Sequence, residues 1–237
     1  MPPISDWGLF TAAETLAIIA PSTKGLTLRQ AIEYTRMHMT FVDGFHEFVD
    51  TLHKNGIHFV INTTGYSVTV YAIREQVGRD KIPGHIDNFL RFGEDGDPNA
   101  TLREDELESL VSRYFSLQDH STSPVYDKIK ATGRIEISIG DEAAKTKLLL
   151  EYAQRHFPGI HPTQIAHIGD TMGDSECIYI VATLGGLGVA FNYNPALERF
   201  VREKMESDNI QRRMVLVDPK SRSSNLMNVV PHILNQK

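Results

Sequence analysis

The sequence predicts an α/β protein built on a doubly wound, Rossmann-like parallel sheet. Two observations support this prediction. Short apolar segments alternate along the chain with longer segments of helical periodicity, and the apolar segments contain almost no polar interruption. Uninterrupted apolar strands are typical of parallel sheets that helices cover on both faces. The clearest predicted strands are residues 57–62, 165–168, 187–191 and 214–217.

Helical periodicity accounts for most of the remaining chain. In residues 41–54, for example, an apolar stripe includes Phe48, Val49 and Leu52, and Gly56 follows where a helix would end. The other predicted helices are residues 11–20, 27–39, 66–77, 102–115, 141–155, 174–182, 195–205 and 224–234.

The middle of the chain is less regular. Residues 129–139 alternate loosely and contain Gly133, which predicts a hairpin with that glycine at its turn. Residues 92–99 are acidic and rich in turn formers, and they lack the spacing of an EF-hand calcium loop, so we expect a solvated loop.

Composition excludes several functional classes. The chain has 237 residues, 41% of them hydrophobic, and a formal net charge of −6 without a basic stripe. Binding to a nucleic-acid backbone needs clustered Lys and Arg, so nucleic acid is not the expected partner. We see neither a membrane-length apolar run nor a signal sequence at the first residues. The single cysteine, Cys177, is expected to be a buried structural side chain, and we expect a soluble cytoplasmic protein.

The most informative segment is residues 165–174, a short strand followed by Gly169 and two aspartates, Asp170 and Asp174. The carboxyl end of a parallel strand is where an open α/β sheet places its ligand site. Two carboxylates there suit Mg²⁺, which prefers oxygen ligands. The alternative is that Asp174 serves as the N-cap of the following helix.

Two other segments carry polar residues at the ends of elements. Thr63, Thr64 and Gly65 follow the 57–62 strand, where hydroxyls and backbone amides can hold a phosphate oxygen. Lys145 lies near the start of a predicted helix and can neutralise phosphoryl charge. Taken singly, Thr63 is more typical of a structural turn residue, and Lys145 of a solvated surface lysine.

Taken together and in this order, these segments resemble the haloacid dehalogenase (HAD) superfamily, and its phosphoserine phosphatase-like branch in particular. Thr63 lies seven residues past Gly56, as the threonine or serine of the second motif does in that branch. Lys145-Thr146 resembles the third motif, with Lys147 as the alternative lysine. GDTMGD at residues 169–174 resembles the fourth motif.

The first motif departs from the pattern of the family. The family begins with Asp-x-Asp-Gly-Thr, in which the first Asp is the nucleophile and the second a general acid/base. Here Asp6 matches the nucleophile in Ser5-Asp6-Trp7-Gly8, but the second Asp is missing. Glu14 lies eight residues past Asp6 instead of nine, so one missing residue between Trp7 and Gly8 would restore the register.

The resemblance implies a site for a small phosphorylated metabolite. Asp6, Thr63 and Lys145 would be catalytic, and Asp6 would form an aspartyl-phosphate. Thr64, Gly65 and Glu14 would bind substrate. Mg²⁺ would be held by Asp6 and Asp170, with Asp174 supporting it. Without the general acid, the enzyme is expected to be weakened or specialised.

The resemblance also implies a domain organisation. The core would comprise residues 1–12 and 40–237, with an insertion at 93–125, and residues 13–39 would form a small helical cap. The 102–115 helix would project as a lid or as a contact for another subunit, which leaves a homodimer open.

Two alternatives remain. One is a hydrolase of the phosphonoacetaldehyde hydrolase or haloacid dehalogenase type. The former needs a cap lysine, and Lys24 is the only lysine there, in a turn-like setting. The other is an inactive phosphate-binding or interaction protein. The histidines show no metal-binding helical pair, so none is assigned to a metal.

Overall fold

Strands and helices alternate along the chain in a computed structural model of the protein. This alternation confirms the predicted α/β class. The helices are α1 (Ala12–Ile19), α2 (Leu28–His38), α3 (Phe45–Lys54), α4 (Ser67–Val77), α5 (Glu104–Ser116), α6 (Val125–Lys128), α7 (Glu142–His156), α8 (Ser175–Thr183), α9 (Pro195–Asp208) and α10 (Val230–Leu234). The strands are β1 (Val60–Tyr66), β2 (Gly84–Glu94), β3 (Ile129–Glu136), β4 (Ala166–Gly169), β5 (Leu187–Tyr193) and β6 (Met214–Pro219).

The structure describes most of the chain, and Asp6 lies outside the described residues. The described ranges are 12–116, 122–208, 210, 213–220 and 224–235. The chain divides into two units: unit 1 is formed by residues 1–40 and 58–140, and unit 2 by residues 41–57 and 141–237.

The sheet of unit 1 is built around β2. β1 pairs with β2 in parallel, and β3 pairs with β2 in antiparallel orientation. Val60 lies opposite Gly84 and Asn62 opposite Ile86, but the register shifts between Asn62 and Tyr66. The chain therefore leaves regular pairing at residues 63–65, immediately before α4 begins.

The core of unit 1 lies where α2, α4 and α5 pack with β2. Thr27 and Gln30 form a capping box that begins α2, and the apolar face of that helix is fully buried. Burial of this shared apolar surface stabilises the unit by roughly 25 cal/mol per Å² removed from water. Its central buried residues are Leu28, Ile32, Tyr71, Ala72, Leu90, Phe92, Leu107, Val111, Tyr114, Tyr126 and Ala131.

The middle of the chain differs from three expectations. Residues 129–136 form one strand paired with β2 and not a hairpin, because Gly133, with φ of +77°, bends the strand without reversing it. β2 itself was not predicted, and it takes in the start of the acidic 92–99 segment. Helix α5 does not project, since Leu107, Val111 and Tyr114 are buried in the core of unit 1.

The sheet of unit 2 is parallel throughout, in the order β4, β5, β6. Helix α8 packs closely on β5 at Gly188, where a Cβ would overlap the carbonyl of Ile178. Only glycine permits this approach of backbone to backbone. The buried cluster beneath α8 and α9 contains Ile178, Ala182, Ala190, Tyr193, Leu197, Val201 and Met214.

Helix α3 also belongs to unit 2. The Leu226 N–H donates to the Asp43 carbonyl at 2.8 Å, and Gly44, with φ of +76°, then turns the chain into α3. The predicted apolar stripe of α3 is buried, with Phe48 and Val49 fully enclosed.

None of the helices in the described part of the chain has the length and apolar character needed to cross a membrane.

Candidate active site

Helix α7 supplies a buried lysine in unit 2. Asp141 caps this helix, because its Oδ1 accepts the Ala144 N–H at 2.7 Å. Lys145, on the first turn, is only 7% exposed and its Nζ donates to Asp174 Oδ1. Lys147 is solvent-exposed, and its Nζ lies 3.8 Å from Glu151 Oε1. The structure thus brings the first of the two candidate lysines to the fourth-motif aspartate.

Asp174 lies directly over the end of β4. A Cβ on Gly169 would overlap the Asp174 side chain, so glycine is required at that position. Asp174 Oδ2 accepts the Asp170 N–H at 3.3 Å, and Asp174 Oδ1 is shared by Lys145 and His167. Because both oxygens already have donors, Asp174 is suited to hold its neighbours in place, and Asp170 is the better direct ligand for a cation. We refer to Lys145, His167, Asp170 and Asp174 as the Asp174 cluster.

His167 was not recognised as a site residue from the sequence. It is buried on β4, and its Nε2 lies 3.3 Å from Asp174 Oδ1. Burial lowers the pKa of His167, but its hydrogen bonds with Asp174 and Cys177 outweigh that effect and raise the pKa to about 9. Burial likewise raises the pKa of Asp174, whereas His167 and Lys145 lower it, and the net result is a pKa below the ordinary range. Asp174 is therefore held as a carboxylate by two basic partners.

Two other carboxyls in this region, those of Asp170 and Glu142, have raised pKa values, in contrast to Asp174. Burial raises the pKa of Asp170, the charge of Asp174 raises it further, and Lys220 acts against both. Burial also raises the pKa of Glu142, whose Oε2 lies 3.0 Å from Ser175 Oγ. A nearby cation would relieve the desolvation and repulsion at Asp170, so this carboxylate fits a Mg²⁺ ligand.

The carboxyl ends of β5 and β6 adopt an unusual backbone. Asn192 and Asp218 have φ of +52° and +51°, a region that non-glycine residues seldom enter. Both side chains are fixed by hydrogen bonds: Ser224 Oγ donates to Asn192 at 3.0 Å, and Asn228 donates to Asp218 at 2.8 Å. The two strands of unit 2 that follow β4 therefore both finish in a polar residue whose backbone and side chain are constrained.

Unit 1 contains the threonine segment, Thr63-Thr64-Gly65. Thr63 Oγ1 accepts the Gly65 N–H at 3.0 Å and so closes a tight turn at the end of β1. All three residues are partly exposed. Helix α4 starts two residues later, and its N-cap residue, Tyr66, makes no side-chain capping bond. The first amides of such a helix can bind an anion.

Asn88 fixes the threonine segment from β2. This residue is completely buried. Its Nδ2 donates to the carbonyls of Thr64 and Ile139, at 3.0 and 3.2 Å. Its Oδ1 accepts the N–H groups of Ser138 and Ile139, both at 2.8 Å. One amide thus ties the threonine segment to the segment that precedes α7 in the sequence, a role that the sequence did not reveal.

Buried hydroxyls gather at the start of α4. Ser67 is fully buried, and neither its Oγ nor the hydroxyl of Tyr66 has a hydrogen-bond partner among the described residues. An unpartnered buried hydroxyl costs about 1–3 kcal/mol, which favours a polar ligand or water at this end of the helix.

The other predicted site residues belong to different units or lie outside the described residues. Glu14 is exposed on α1 in unit 1. Asp6 lies outside the described residues. Thr63 belongs to unit 1, and Lys145 and Asp170 belong to unit 2. The assignment of all of these residues to one catalytic site stays a prediction.

A second group of potential metal ligands lies in unit 1. His85, Asp87 and Glu104 each offer a ligand atom, and these atoms lie within 4.8 Å of one another. Helical spacing of histidines does not reveal this group, because His85 and Asp87 are two residues apart on a strand. That strand spacing was the signal that could have identified the pair.

The fold is shared with solved hydrolases. Two structures of phosphoserine phosphatase, one with a phospho-aspartyl intermediate analogue and one with bound substrate, match with TM-scores of 0.59 and 0.60 at 18% identity. Each match covers 95% of this chain and 79% of the phosphatase. A HAD family hydrolase from Salmonella enterica subsp. enterica serovar Typhi matches with a TM-score of 0.58 at 15% identity, over 82% of this chain and 52% of the hydrolase.

No family model matches the chain, and no curated protein matches its sequence. At these identities, the structural similarity shows the fold alone. It confirms the predicted HAD, phosphoserine phosphatase-like fold.

Proposed function

We propose that this protein is a Mg²⁺-dependent phosphohydrolase that acts on a small phosphomonoester. The observation that supports the proposal most directly is the Asp174 cluster. A buried lysine and a buried histidine hold one aspartate at the end of a parallel strand, and a second aspartate beside it is electrostatically suited to a cation. The second and third motifs of the sequence, which contain Thr63 and Lys145, are those expected of a phosphohydrolase with the HAD fold.

Each residue then has a distinct task. Asp6 would attack phosphorus and form an aspartyl-phosphate as the bond between phosphorus and the leaving-group oxygen breaks, and water would then hydrolyse this intermediate to free Asp6 and phosphate. Lys145 would offset phosphoryl charge, and the threonine segment would bind phosphate oxygens through its hydroxyls and amides. Glu14 would contact the remainder of the substrate. Bound Mg²⁺ supplies charge neutralisation and orients the phosphate.

The missing second aspartate of the first motif predicts a preference among leaving groups. A positioned general acid contributes about 10²–10⁴-fold to a rate. Leaving groups that need no proton should suffer least from its loss. We therefore expect phosphate release from p-nitrophenyl phosphate to be much faster than from serine phosphate.

Phosphate release from both substrates, with and without Mg²⁺, tests the proposal. Turnover should require Mg²⁺ and should be lost in Asp6→Asn and Asp170→Asn. Asp105→Asn, which changes an exposed aspartate of α5, is the matched control. Equal rates on the two substrates would refute the missing-acid explanation, and unchanged activity in Asp170→Asn would refute the site.

The missing acid also favours a second candidate, a phosphate-binding or interaction protein that has lost turnover. In that case phosphate would raise the melting temperature of the protein, while no substrate would be hydrolysed. The phosphonoacetaldehyde hydrolase alternative has less support, because Lys24 is exposed and a Schiff-base lysine needs a desolvated setting. We also propose that the protein is cytoplasmic and that it forms a homodimer.

A further inference from the structure

Three metal-binding side chains converge in unit 1 on residues that the proposed phosphatase chemistry does not use. His85 and Asp87 are two residues apart on β2, so both side chains leave the same face of the strand. Glu104 is the first residue of α5. Their ligand atoms lie within 4.8 Å of one another, and His85 Nδ1 is 2.8 Å from Asp87 Oδ2.

We propose that His85, Asp87 and Glu104 form a binding site for a divalent transition-metal ion, of which Zn²⁺ is the best fit. We call these three residues the β2–α5 site. The proposal concerns unit 1 alone and does not depend on the proposed function.

The burial of the three side chains suits a metal site with one open side. The Asp87 side chain is 3% exposed and that of His85 is 17% exposed, whereas Glu104 lies at the surface. A buried carboxylate is costly unless a hydrogen bond or an opposite charge compensates it. A cation held by all three residues would supply that charge, and the exposed carboxylate leaves it a route of entry.

Tyr71 orients two of the three ligands. Its hydroxyl donates to Glu104 Oε1 at 3.1 Å, and its ring packs edge-on against the His85 imidazole with 5.2 Å between ring centres. Tyr71 is almost completely buried, so its position is fixed by the core. Metal ligands in proteins are commonly held by such outer hydrogen bonds.

Two arginines near the site, Arg74 and Arg79, are bound to a different carboxylate. Glu108, one turn further along α5, is bound by Arg74 and Arg79, each at 2.5 Å. These ion pairs occupy both guanidinium groups with a different carboxylate. Asp87 and Glu104 remain as the acidic pair that faces the imidazole.

The ligand set selects the class of metal. One imidazole and two carboxylates suit Zn²⁺ or Co²⁺, whereas Mg²⁺ prefers oxygen ligands and retains its waters. Ligands of tetrahedral Zn²⁺ lie roughly 3.4 Å apart at its usual bond lengths. The present separations require only small side-chain movements, and Glu104, being exposed, can make most of them.

Titration of the full-length protein with Zn²⁺ by calorimetry, and with Co²⁺ by visible absorption, tests the proposal. With excess Mg²⁺ present to fill the proposed site at Asp170, one equivalent should bind, and bound Co²⁺ should show the visible absorption bands of a site with fewer than six ligands. His85→Asn and Glu104→Gln should each weaken binding by at least about 10-fold, and Tyr71→Phe by about 10-fold. His53→Asn and Glu106→Gln, which change exposed residues outside the β2–α5 site, should leave affinity unchanged.

Thermal melting with and without Zn²⁺ separates a binding defect from a folding defect. Glu104→Gln should melt at the same temperature as the parent without metal and should lose the stabilisation that Zn²⁺ gives the parent. Unchanged Zn²⁺ affinity in both ligand variants would overturn the proposal, as would absence of Zn²⁺ binding by the parent. Loss of Zn²⁺ binding in Asp170→Asn but not in His85→Asn would place the ion in the Asp174 cluster instead and would also overturn it.

Discussion

The Asp174 cluster and the threonine segment differ in the interactions that hold them in place. In unit 2, charged groups are buried together, and the pKa values of His167 and Asp174 are set in part by their partners. In unit 1, the threonine segment carries no charged side chain and is held by one hydroxyl and one buried amide. The comparison teaches that breaking the buried Lys145–Asp174 pair should be costly, whereas changes within the threonine segment should be mild unless the supporting Asn88 is changed.

The largest expected effect comes from Lys145→Met, which breaks the buried ion pair with Asp174. Both side chains are about nine-tenths buried, so their charges gain little from solvent. Removing one partner of such a pair typically costs about 3–5 kcal/mol, because the other charge stays buried. Denaturant unfolding should show this loss in the free energy of unfolding.

Lys147→Met is the matched control for that change, since Lys147 is exposed and lies 3.8 Å from Glu151. We expect a change below about 1 kcal/mol, as for other surface pairs. Equal destabilisation by the two lysine substitutions would contradict the assignment of Lys145 as the buried partner.

Asn88→Ala should have the next largest effect. It removes four hydrogen bonds, to Thr64, Ser138 and Ile139, and leaves the buried N–H and C=O of Ile139 without these partners. Such groups cost about 1–3 kcal/mol each, partly offset by relaxation, so we expect a total loss of about 2–4 kcal/mol.

Chemical denaturation also measures the Asn88→Ala effect, and Asn99→Ala, at an exposed asparagine, should be nearly silent. If Asn88→Ala unfolds at the same denaturant concentration as the parent, then Asn88 does not hold the threonine segment.

Thr63→Val should be milder. It removes the acceptor of the Gly65 N–H, a single partly buried hydrogen bond worth about 1 kcal/mol. Thr64→Val, the same substitution at the neighbouring residue, is the matched control for the stability measurement. A loss of more than about 3 kcal/mol in Thr63→Val would mean that the threonine segment, like the Asp174 cluster, has a structural role beyond this one bond.

Asp170→Asn should have the smallest effect on stability, with a sign opposite to that of the other changes, and the size of the effect depends on pH. Burial and the charge of Asp174 raise the pKa of Asp170 in the folded state, so the folded protein binds this proton more tightly than the unfolded chain does. Stability from this group is present below the ordinary pKa of an aspartate and is lost as the pH rises through the raised value.

Unfolding of Asp170→Asn and the parent at acidic and neutral pH tests that sign. The variant should be the more stable of the two at neutral pH, and the difference should shrink in acid. Mg²⁺ should stabilise the parent and not the variant. A variant that is less stable than the parent at neutral pH would show that Asp170 is already compensated within unit 2.

The fold and part of the site could be predicted because they depend on local pattern. Alternation of apolar strands with helices fixed the α/β class, and the Gly169-Asp170 sequence at the end of β4 marked a site position. The strand β2 was missed because the acidic turn that follows it masked its apolar character. Asn88 was missed because its partners are up to 51 residues away in the sequence.

What the sequence determined by itself was therefore periodic or short-range: where β1, β4, β5 and β6 lie, which face of α3 or α5 is apolar, and which aspartates follow β4. Only the tertiary structure decided which of Lys145 and Lys147 is buried against Asp174, and that His85, Asp87 and Glu104 share one place. The physical reason is that periodicity specifies the face on which a side chain lies, whereas burial, charge pairing and pKa depend on what another part of the chain brings to that face.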